Sequence, residues 1–222
     1  MPLTAAYDAH ADWYEDYVSG RAAPYTRRSG ELLASLLGPG AGACLDLCCG
    51  TGVRAGTLRA LGWTPLGVDL SRGQLRHAAA RLPVAAGDAA ALPVATASLP
   101  AVACSLAHTD LPDYAAVLRE VARVLRPGGR FAHVGVHPCF VGAFADWSDR
   151  PRVFVDERYA DRSYTTQAWD PTGVRARVGA WHVPLADLLN GLADAGLRLV
   201  RAMESGPGGV ADVLGLLAVK PV

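Results

Sequence analysis

Two aspartates lie near the ends of neighbouring apolar runs, with a glycine-containing loop between them. Asp46 belongs to the run Ala43–Leu47, which leads into Cys48-Cys49-Gly50-Thr51-Gly52, and Asp69 closes the next run. Glycine lets the backbone approach a ligand, and a carboxylate at the second position can accept both hydroxyls of a ribose. The G-x-G-x-x-G spacing that seats a pyrophosphate is absent, and the loop has no Lys or Arg. The residues therefore favour a ligand that contains ribose but no pyrophosphate, and disfavour a nicotinamide dinucleotide.

The sequence around this loop alternates short apolar runs with helical patterns, which is typical of a parallel α/β sheet. Apolar runs predict strands at 43–47, 64–69, 84–86, 101–105, 130–136, 197–203 and 213–219. Helical spacing predicts helices at 7–18, 25–37, 53–61, 72–81 and 114–125, with another starting at Leu185. The Gly206-Pro207-Gly208-Gly209 turn predicts that the last two strands form an antiparallel hairpin.

Four segments together resemble the class I S-adenosylmethionine-dependent methyltransferases of the small-molecule, type 11-like kind. They are residues 45–52, 67–71, 87–93 and 120–131, and the resemblance covers most of the chain. It implies a Rossmann-like, doubly wound sheet of seven strands, mostly parallel, with an antiparallel strand in the C-terminal hairpin and helices on both faces. It also implies S-adenosylmethionine as cofactor and S-adenosylhomocysteine as product.

The resemblance implies a set of cofactor-binding residues: Asp46, Cys48, Cys49, Gly50, Gly52, Asp69, Leu70, Asp88, Ala89, Ser105 and Tyr14. Asp46 and the loop backbone would face the methionine moiety, and Asp69 the ribose hydroxyls. Asp88 and the Ala89 amide would face the adenine edge. Ser105 would lie beside the cofactor.

Two positions depart from the family pattern. Cys48 stands where the family usually has its first loop glycine, and we expect cofactor binding to be retained with this residue. Pro100 stands where an acidic residue often precedes the fourth strand. That position is structural, so the change implies no loss of function.

Methyl transfer is an in-line displacement, and an acceptor that must lose a proton needs a nearby base. We predict His137, then His108, as the general base, because each follows a strand of the predicted sheet. Each could instead hydrogen-bond a loop. A metal site built from these histidines with His182 and Cys139 is disfavoured, since no ligand spacing supports it.

Residues 1–222 are expected to form one methyltransferase domain with two additions. Residues 1–40 would form a helical lid, in which Tyr14 could reach the cofactor carboxylate. The irregular segment 137–183 would bind the acceptor, with an aromatic box of Trp147, Tyr159, Tyr164 and Trp169. The alternative is that these aromatic residues only anchor the segment. Its arginines, Arg150 among them, are offset by neighbouring acidic residues and are expected to form a solvated face.

Composition narrows the class of protein. The chain has 222 residues, 21 Lys+Arg against 21 Asp+Glu, and 51% hydrophobic residues. A neutral chain lacks the basic excess of nucleic-acid and anionic-membrane binders, so neither partner is expected. Five cysteines, two of them adjacent, predict buried reduced thiols. No secretory pattern and no apolar stretch of about 20 residues is present, so we expect a cytoplasmic protein.

The resulting hypothesis is methyl transfer to an O, N or C atom of a small molecule in a metabolite or secondary-metabolism pathway. An RNA or protein methyltransferase is the nearest enzymatic alternative, although it would be expected to carry a basic or stacking groove. A second alternative is a protein of the same fold that binds the cofactor without transferring methyl.

Overall fold

The computed structural model describes residues 5–149, 152–167 and 170–222, and seven strands of these ranges form the central sheet in the order β10-β11-β5-β4-β1-β2-β3. The strands of the central sheet are β1 (Ala43–Leu47), β2 (Thr64–Asp69), β3 (Val84–Ala86), β4 (Leu99–Ser105), β5 (Leu125–Val136), β10 (Arg198–Ser205) and β11 (Val213–Val219). Neighbouring strands from β3 to β5 are parallel, whereas β11 runs antiparallel to β5 and β10. The predicted fold class is confirmed.

The helices are α1 (Ala11–Ser19), α2 (Ala23–Leu37), α3 (Ala55–Ala60), α4 (Arg72–Ala78), α5 (Tyr114–Val124), α6 (Arg175–Val178) and α7 (Leu185–Asp194). Single 3₁₀ turns occur at Asp8–His10, His108–Asp110, Glu157–Ala160 and Pro207–Gly209. The predicted helices exist, but α3 and α4 are shorter than their helical patterns. Asp113 caps α5, where its side chain accepts a hydrogen bond from Ala116 N at 2.8 Å.

The two faces of the sheet bury separate apolar clusters. One face packs against α5 and α7, whose buried residues include Val117, Leu118 and Leu188. The other face packs against α2 through Leu33 and Leu37, which are fully buried. Fully burying a leucine side chain stabilises the fold by about 1.5–3 kcal/mol relative to leaving it exposed. These two clusters hold the strands so that their carboxyl ends meet at one edge.

Residues 137–183 contain two short antiparallel pairs rather than an extended sheet. The first joins β6 (Ala145–Asp146) to β7 (Phe154–Val155), and the second joins β8 (Tyr164–Thr165) to β9 (Ala180–Trp181). Three arginines of the segment pair with acidic residues on the surface, as expected for a solvated face: Arg152 with Asp149, Arg158 with Asp156 and Arg162 with Asp187. Arg150 and Trp169 lie outside the described residues.

Two other features bear on the sequence predictions. The five cysteines carry free thiols, and Cys44, Cys49 and Cys104 are buried. Within the described ranges, no helix combines the length and the apolar character that crossing a bilayer requires.

Replacing Leu33 by Ala tests the packing of α2 on the sheet. Leu33 is fully buried, so the substitution should lower the free energy of unfolding by about 2–5 kcal/mol. Leu199→Ala is the matched control, because Leu199 lies on β10 with 42% of its surface exposed and should lose far less. Urea unfolding followed by circular dichroism measures both changes. Equal losses in the two variants would contradict the assignment of Leu33 to the core.

Candidate active site

A cavity of about 330 Å³ lies at the carboxyl ends of β1, β2 and β4. The loop after β1 forms its floor, residues from the N-terminal helix line one side, and residues of the 137–183 segment line another. In open parallel sheets this edge is where ligands bind, because the loops leave backbone groups free there. The volume lies at the lower end of the range for small-molecule sites.

The floor loop requires left-handed backbone at three positions. Cys48, Gly50 and Gly52 have φ angles of 55°, 55° and 78°. A side chain at Gly50 or Gly52 would be strained by these φ values, and a Cβ on Gly52 would also lie 3.1 Å from the Cα of Ala78. Cys48 adopts the left-handed conformation despite its side chain, at a cost of about 1–2 kcal/mol. The φ of Cys48 thus gives a physical reason for the glycine that the resemblance places at this position.

Asp69 fastens this loop to the end of β2. One carboxylate oxygen accepts a hydrogen bond from Gly50 N at 2.8 Å, and the other accepts one from Ser71 N at 2.8 Å. Burial raises the pKa of Asp69, although these two N–H donors oppose the shift. Each oxygen has a further lone pair, so Asp69 can also accept ribose hydroxyls.

Asp46 lies beneath the loop beside the guanidinium of Arg54. Asp46 is 1% exposed, and its Oδ2 has no hydrogen-bond partner among the described residues. Burial raises the pKa of Asp46 to about 7, with Arg54 opposing and Asp69 adding to the shift. A buried carboxylate oxygen without a partner usually marks a site that a ligand or water completes.

The predicted adenine side also lines the cavity. Asp88 closes a turn after β3 by accepting a hydrogen bond from Ala90 N at 2.8 Å, and Ala89 is buried beside it. Leu70 is 38% exposed and flanks the opening. Ser105 Oγ accepts a hydrogen bond from Arg54 Nε at 3.1 Å. Of the predicted cofactor-binding residues, all but Gly52 line the cavity, and Gly52 shapes the loop instead.

The N-terminal helix covers the cavity with two tyrosines. Tyr14 lines the cavity, and its ring packs edge-on against Tyr7 at 5.3 Å between centroids. Burial raises the pKa of Tyr14 to about 12, so its hydroxyl remains a hydrogen-bond donor. The helix is held to α4 by Asp8, which accepts hydrogen bonds from Ser71 Oγ at 2.7 Å and Gly73 N at 2.9 Å.

The geometry does not bring the predicted base His137 to the cavity. Its ring is buried, its Nε2 lies 2.7 Å from Glu204 Oε1, and its Nδ1 accepts a hydrogen bond from Cys139 N at 3.1 Å. Both ring nitrogens are therefore engaged, one by Glu204 of β10 and the other in the turn that follows β5. The contacts match the alternative in which His137 holds a loop.

His108 also points away from the cavity. Ala107 and Thr109 line the cavity, whereas the His108 ring packs against His133 at 5.0 Å and Tyr114 at 5.9 Å within the core. Burial, with His133 nearby, holds the pKa of His108 well below its usual value. Its Nδ1 has no partner in the described part of the chain. The structure therefore gives no support for a general base at position 108.

The predicted aromatic box does not form as a unit among the residues described. Trp147 Nε1 donates to Phe140 O at 2.7 Å, and Tyr159 packs against Phe144 and His182. Tyr164 does line the cavity, and its ring lies 5.5 Å from that of Trp181, a residue that the sequence reasoning did not select. His182 contacts the backbone oxygen of Tyr159 at 2.9 Å. Nowhere in the described ranges do three potential metal ligands cluster.

Three further site residues were missed from the sequence. Arg54 and Gln74 line the cavity floor, and Arg175 pairs with the cavity residue Asp110. Arg54 lies two residues after Gly52 of the glycine loop, and this position in the sequence is only a weak indication of a site residue. Arg175 lies in a segment without periodicity, so no pattern could select it.

A family model described as a methyltransferase domain matches residues 44–129. The matched residues therefore correspond to a methyltransferase domain. The match begins in β1 and ends at the turn within β5, so it contains the floor loop, Asp69 and Asp88. The N-terminal helices and the 137–183 segment lie outside it.

Similar proteins match parts of this chain. A demethylmenaquinone methyltransferase from Corynebacterium kroppenstedtii is 32% identical over 146 residues, covering 60% of this chain and 64% of that protein. The match thus spans less than two thirds of that relative's length. The solved structure of a methyltransferase from Mesorhizobium loti has a TM-score of 0.68 at 23% identity, covering 86% of this chain and 95% of its own. The cyclase SpnF has a TM-score of 0.64 at 20% identity, covering 89% of this chain and 82% of its own. These two structures show the shared fold.

The similar protein from Mesorhizobium loti is, by its name, dependent on S-adenosylmethionine, and the cavity suits the chemistry of that cofactor. The cofactor carries a sulfonium, an ammonium group and a ribose. The unpartnered Oδ2 of buried Asp46 supplies an acceptor for a cationic group, and Asp69 supplies acceptors for hydroxyls. No cation of the chain lines the cavity except Arg54, which is already engaged by Thr26 O at 2.5 Å and Ser29 Oγ at 2.6 Å within the described residues.

The raised pKa of Asp46 predicts pH-dependent cofactor binding. A cationic ligand prefers the ionised carboxylate, so affinity for S-adenosylmethionine should rise as the pH increases towards about 7 and then level off. The slope below that pH should approach tenfold per pH unit at most, or about 1.4 kcal/mol. Isothermal titration calorimetry from about pH 5.5 to about pH 8 measures it.

Asp46→Asn should remove this slope and weaken binding at the higher pH by roughly tenfold or more. Asp149→Asn is the control, since Asp149 is an exposed carboxylate paired with Arg152 far along the chain and should retain the slope. An Asp46→Asn variant that binds the cofactor with the wild-type pH dependence would contradict the role given to Asp46.

Proposed function

We propose that this chain transfers a methyl group from S-adenosylmethionine to a small-molecule acceptor. The observation that carries the proposal is a cavity floored by the glycine loop of the matched methyltransferase domain and walled by residues outside that match, Tyr7, Tyr164 and Trp181. When bound, the cofactor supplies an electrophilic methyl carbon. The remaining volume beside the loop is where an acceptor would approach it.

The chain's own residues bind and orient the two reactants and keep water away from them. The cofactor is held by the carboxylates of Asp46 and Asp69 and by the loop amides, and the acceptor is held by the aromatic walls. Orientation of two reactants in this way supplies roughly 7–11 kcal/mol of the barrier reduction. With His108 and His137 turned away, this contribution is the main one that the geometry supports.

A small acceptor fits the cavity better than a macromolecule. Aromatic side chains line the cavity beside the loop, and the chain has no net charge to attract nucleic acid. The similar demethylmenaquinone methyltransferases act, by their names, on a small ring compound. We extend this only to the class of acceptor, a small planar molecule, and leave O, N and C open as the methylated atom.

Two further assignments belong to the proposal. Residues 1–40 act as a lid, because Tyr7 and Tyr14 reach the cavity from helices outside the sheet. The 137–183 segment acts as the acceptor-binding insertion, because Tyr164, Val178 and Trp181 line the opposite wall. We place the reaction in the cytoplasm, where the five free thiols remain reduced.

Thermal shift with S-adenosylmethionine, S-adenosylhomocysteine, NAD and NADP tests the cofactor half of the proposal. At a hundredfold the dissociation constant, a bound ligand adds about 2.7 kcal/mol of stability. The melting temperature should rise by roughly 5–10 °C with the first two compounds only. Release of S-adenosylhomocysteine across a panel of planar acceptors then tests the transfer. A melting shift with NAD or NADP alone would overturn the proposal.

Replacing Trp181 by Ala tests the acceptor wall. Loss of the ring should raise the acceptor KM by roughly tenfold to a hundredfold, equivalent to about 1.5–3 kcal/mol, and leave cofactor affinity unchanged. Phe154→Ala is the control, because Phe154 is an aromatic residue of the same segment that is 56% exposed and outside the cavity lining. Steady-state kinetics with both substrates varied separates the two effects. A fall in cofactor affinity alone would contradict the assignment.

A further inference from the structure

Three distant parts of the chain converge on one oxygen of Asp110. Tyr7 donates its hydroxyl to Asp110 Oδ1 at 3.2 Å, and Arg175 Nη1 donates to the same oxygen. Arg175 Nη1 also donates to Gly179 O at 3.0 Å, within the segment that lines the far wall. The contact therefore joins the turn after β4, the N-terminal region and α6. It fixes the Asp110 carboxylate at the place where the three meet.

The other oxygen of Asp110 stays available. Among the described residues Oδ2 has no hydrogen-bond partner, and the side chain keeps 21% of its surface exposed while lining the cavity. An ionised carboxylate only accepts hydrogen bonds. A ligand beside Asp110 must therefore present a donor to Oδ2.

The pairing with Arg175 decides which kind of donor suits the site. Burial alone would lower the pKa of Arg175, but the Asp110 carboxylate and Tyr7 raise it, so the guanidinium is charged. Burial and Asp110 hold the pKa of Tyr7 well above its usual value, so Tyr7 stays a neutral donor. Asp110 and Arg175 thus form a pair without net charge, which gives a ligand cation little attraction. A neutral hydroxyl matches Oδ2 better.

The surfaces around Asp110 favour a flat ring. Tyr164 and Trp181 lie 5.5 Å apart on one side, and Leu106 and Leu111 add apolar surface. Aromatic side chains in such arrangements pack against planar groups through offset or edge contacts. The cavity therefore combines one open acceptor oxygen with planar apolar walls.

We propose that Asp110 is a specificity-determining residue, whose Oδ2 holds a hydroxyl group of a planar aromatic acceptor. Tyr7 and Arg175 are positioning residues that fix Oδ1 and so aim Oδ2 at the ligand. The inference rests on the proposed function, because it assigns the acceptor side of the same cavity. It names the acceptor class as hydroxyl-bearing rings.

The test measures binding without methyl transfer. Wild-type protein saturated with S-adenosylhomocysteine is titrated with 2-naphthol and with 2-methoxynaphthalene, followed by tryptophan fluorescence. The hydroxyl compound should bind roughly 10- to 100-fold more tightly, the range expected for a hydrogen bond to a charged group. Asp110→Asn should reduce this ratio to within about threefold. Asp187→Asn, which removes a carboxylate paired with Arg162 on the surface, should retain the wild-type ratio.

A second variant keeps the inference testable if Asp110→Asn does not fold. Tyr7→Phe removes one hydrogen bond to Oδ1 and leaves the carboxylate in place, so the ratio should fall by roughly twofold to fivefold. A wild-type ratio near one, or an unchanged ratio in either Asp110→Asn or Tyr7→Phe, would overturn the inference.

The proposed function is tested separately by release of S-adenosylhomocysteine from S-adenosylmethionine. Methyl transfer without a hydroxyl preference in the binding assay would refute the inference and leave the function standing. A hydroxyl preference that depends on Asp110, in a protein that transfers no methyl group to any acceptor, would refute the function and support the assignment of Asp110.

Discussion

The buried guanidinium of Arg54 holds the floor of the cavity together. Its three nitrogens donate to Ser105 Oγ at the end of β4, to Thr26 O in α2 and to Ser29 Oγ in the same helix, at 3.1, 2.5 and 2.6 Å. Asp46 of β1 lies beside it and supplies the opposite charge. These hydrogen bonds tie α2 to the end of β4, and a buried charge that lost its partners would cost about 3–5 kcal/mol. The glycine loop passes over this hydrogen-bonded floor.

The same arrangement leaves two carboxyls of the cavity with raised pKa values. Asp46 and Asp69 both line it, burial raises the pKa of Asp46 to about 7, and burial with Asp110 nearby raises that of Asp69. A carboxyl whose pKa is higher in the folded than in the unfolded state stabilises the fold at low pH. That contribution is lost as the pH rises through about 7 for Asp46. Burial thus disfavours the ionised form of Asp46 at neutral pH. A cationic ligand would offset that cost, which is the physical reason such a site suits a sulfonium cofactor.

Much of this fold could be predicted from the sequence, because burial follows residue type. The bounds of β1, β2, β3 and β11 agree with the apolar runs. The start of β5 does not agree, because Leu125 already pairs with Leu99 of β4 before a register shift at the Pro127-Gly128-Gly129 turn, where Gly128 has a φ of 73°. Site residues could be predicted where the family's motif specified them, as at Asp69. They could not be predicted where a long side chain reaches across the fold, as with Arg54 and Arg175. His108 illustrates a different limit, since its neighbours Ala107 and Thr109 line the cavity while its own ring lies in the core, an orientation that the residue type does not reveal.

The contacts of the N-terminal helix differ in strength on its two sides. Towards α4, Asp12 is exposed and lies 2.8 Å from His77, whereas Glu15 is mostly buried and both of its oxygens accept hydrogen bonds from Arg81, which follows α4. An exposed pair contributes about 0–1 kcal/mol, so the two-pronged Glu15 pair fixes this side of the helix more firmly. Towards the cavity, Tyr7, which precedes the helix, donates to the partly buried Asp110 carboxylate, and Arg175 of the opposite wall donates to the same oxygen. The helix itself contacts that wall through Trp13, whose ring centroid lies 4.1 Å from the guanidinium of Arg177. The N-terminal region and the 137–183 segment are therefore tied to each other by side chains, so a displacement of one would break contacts of the other.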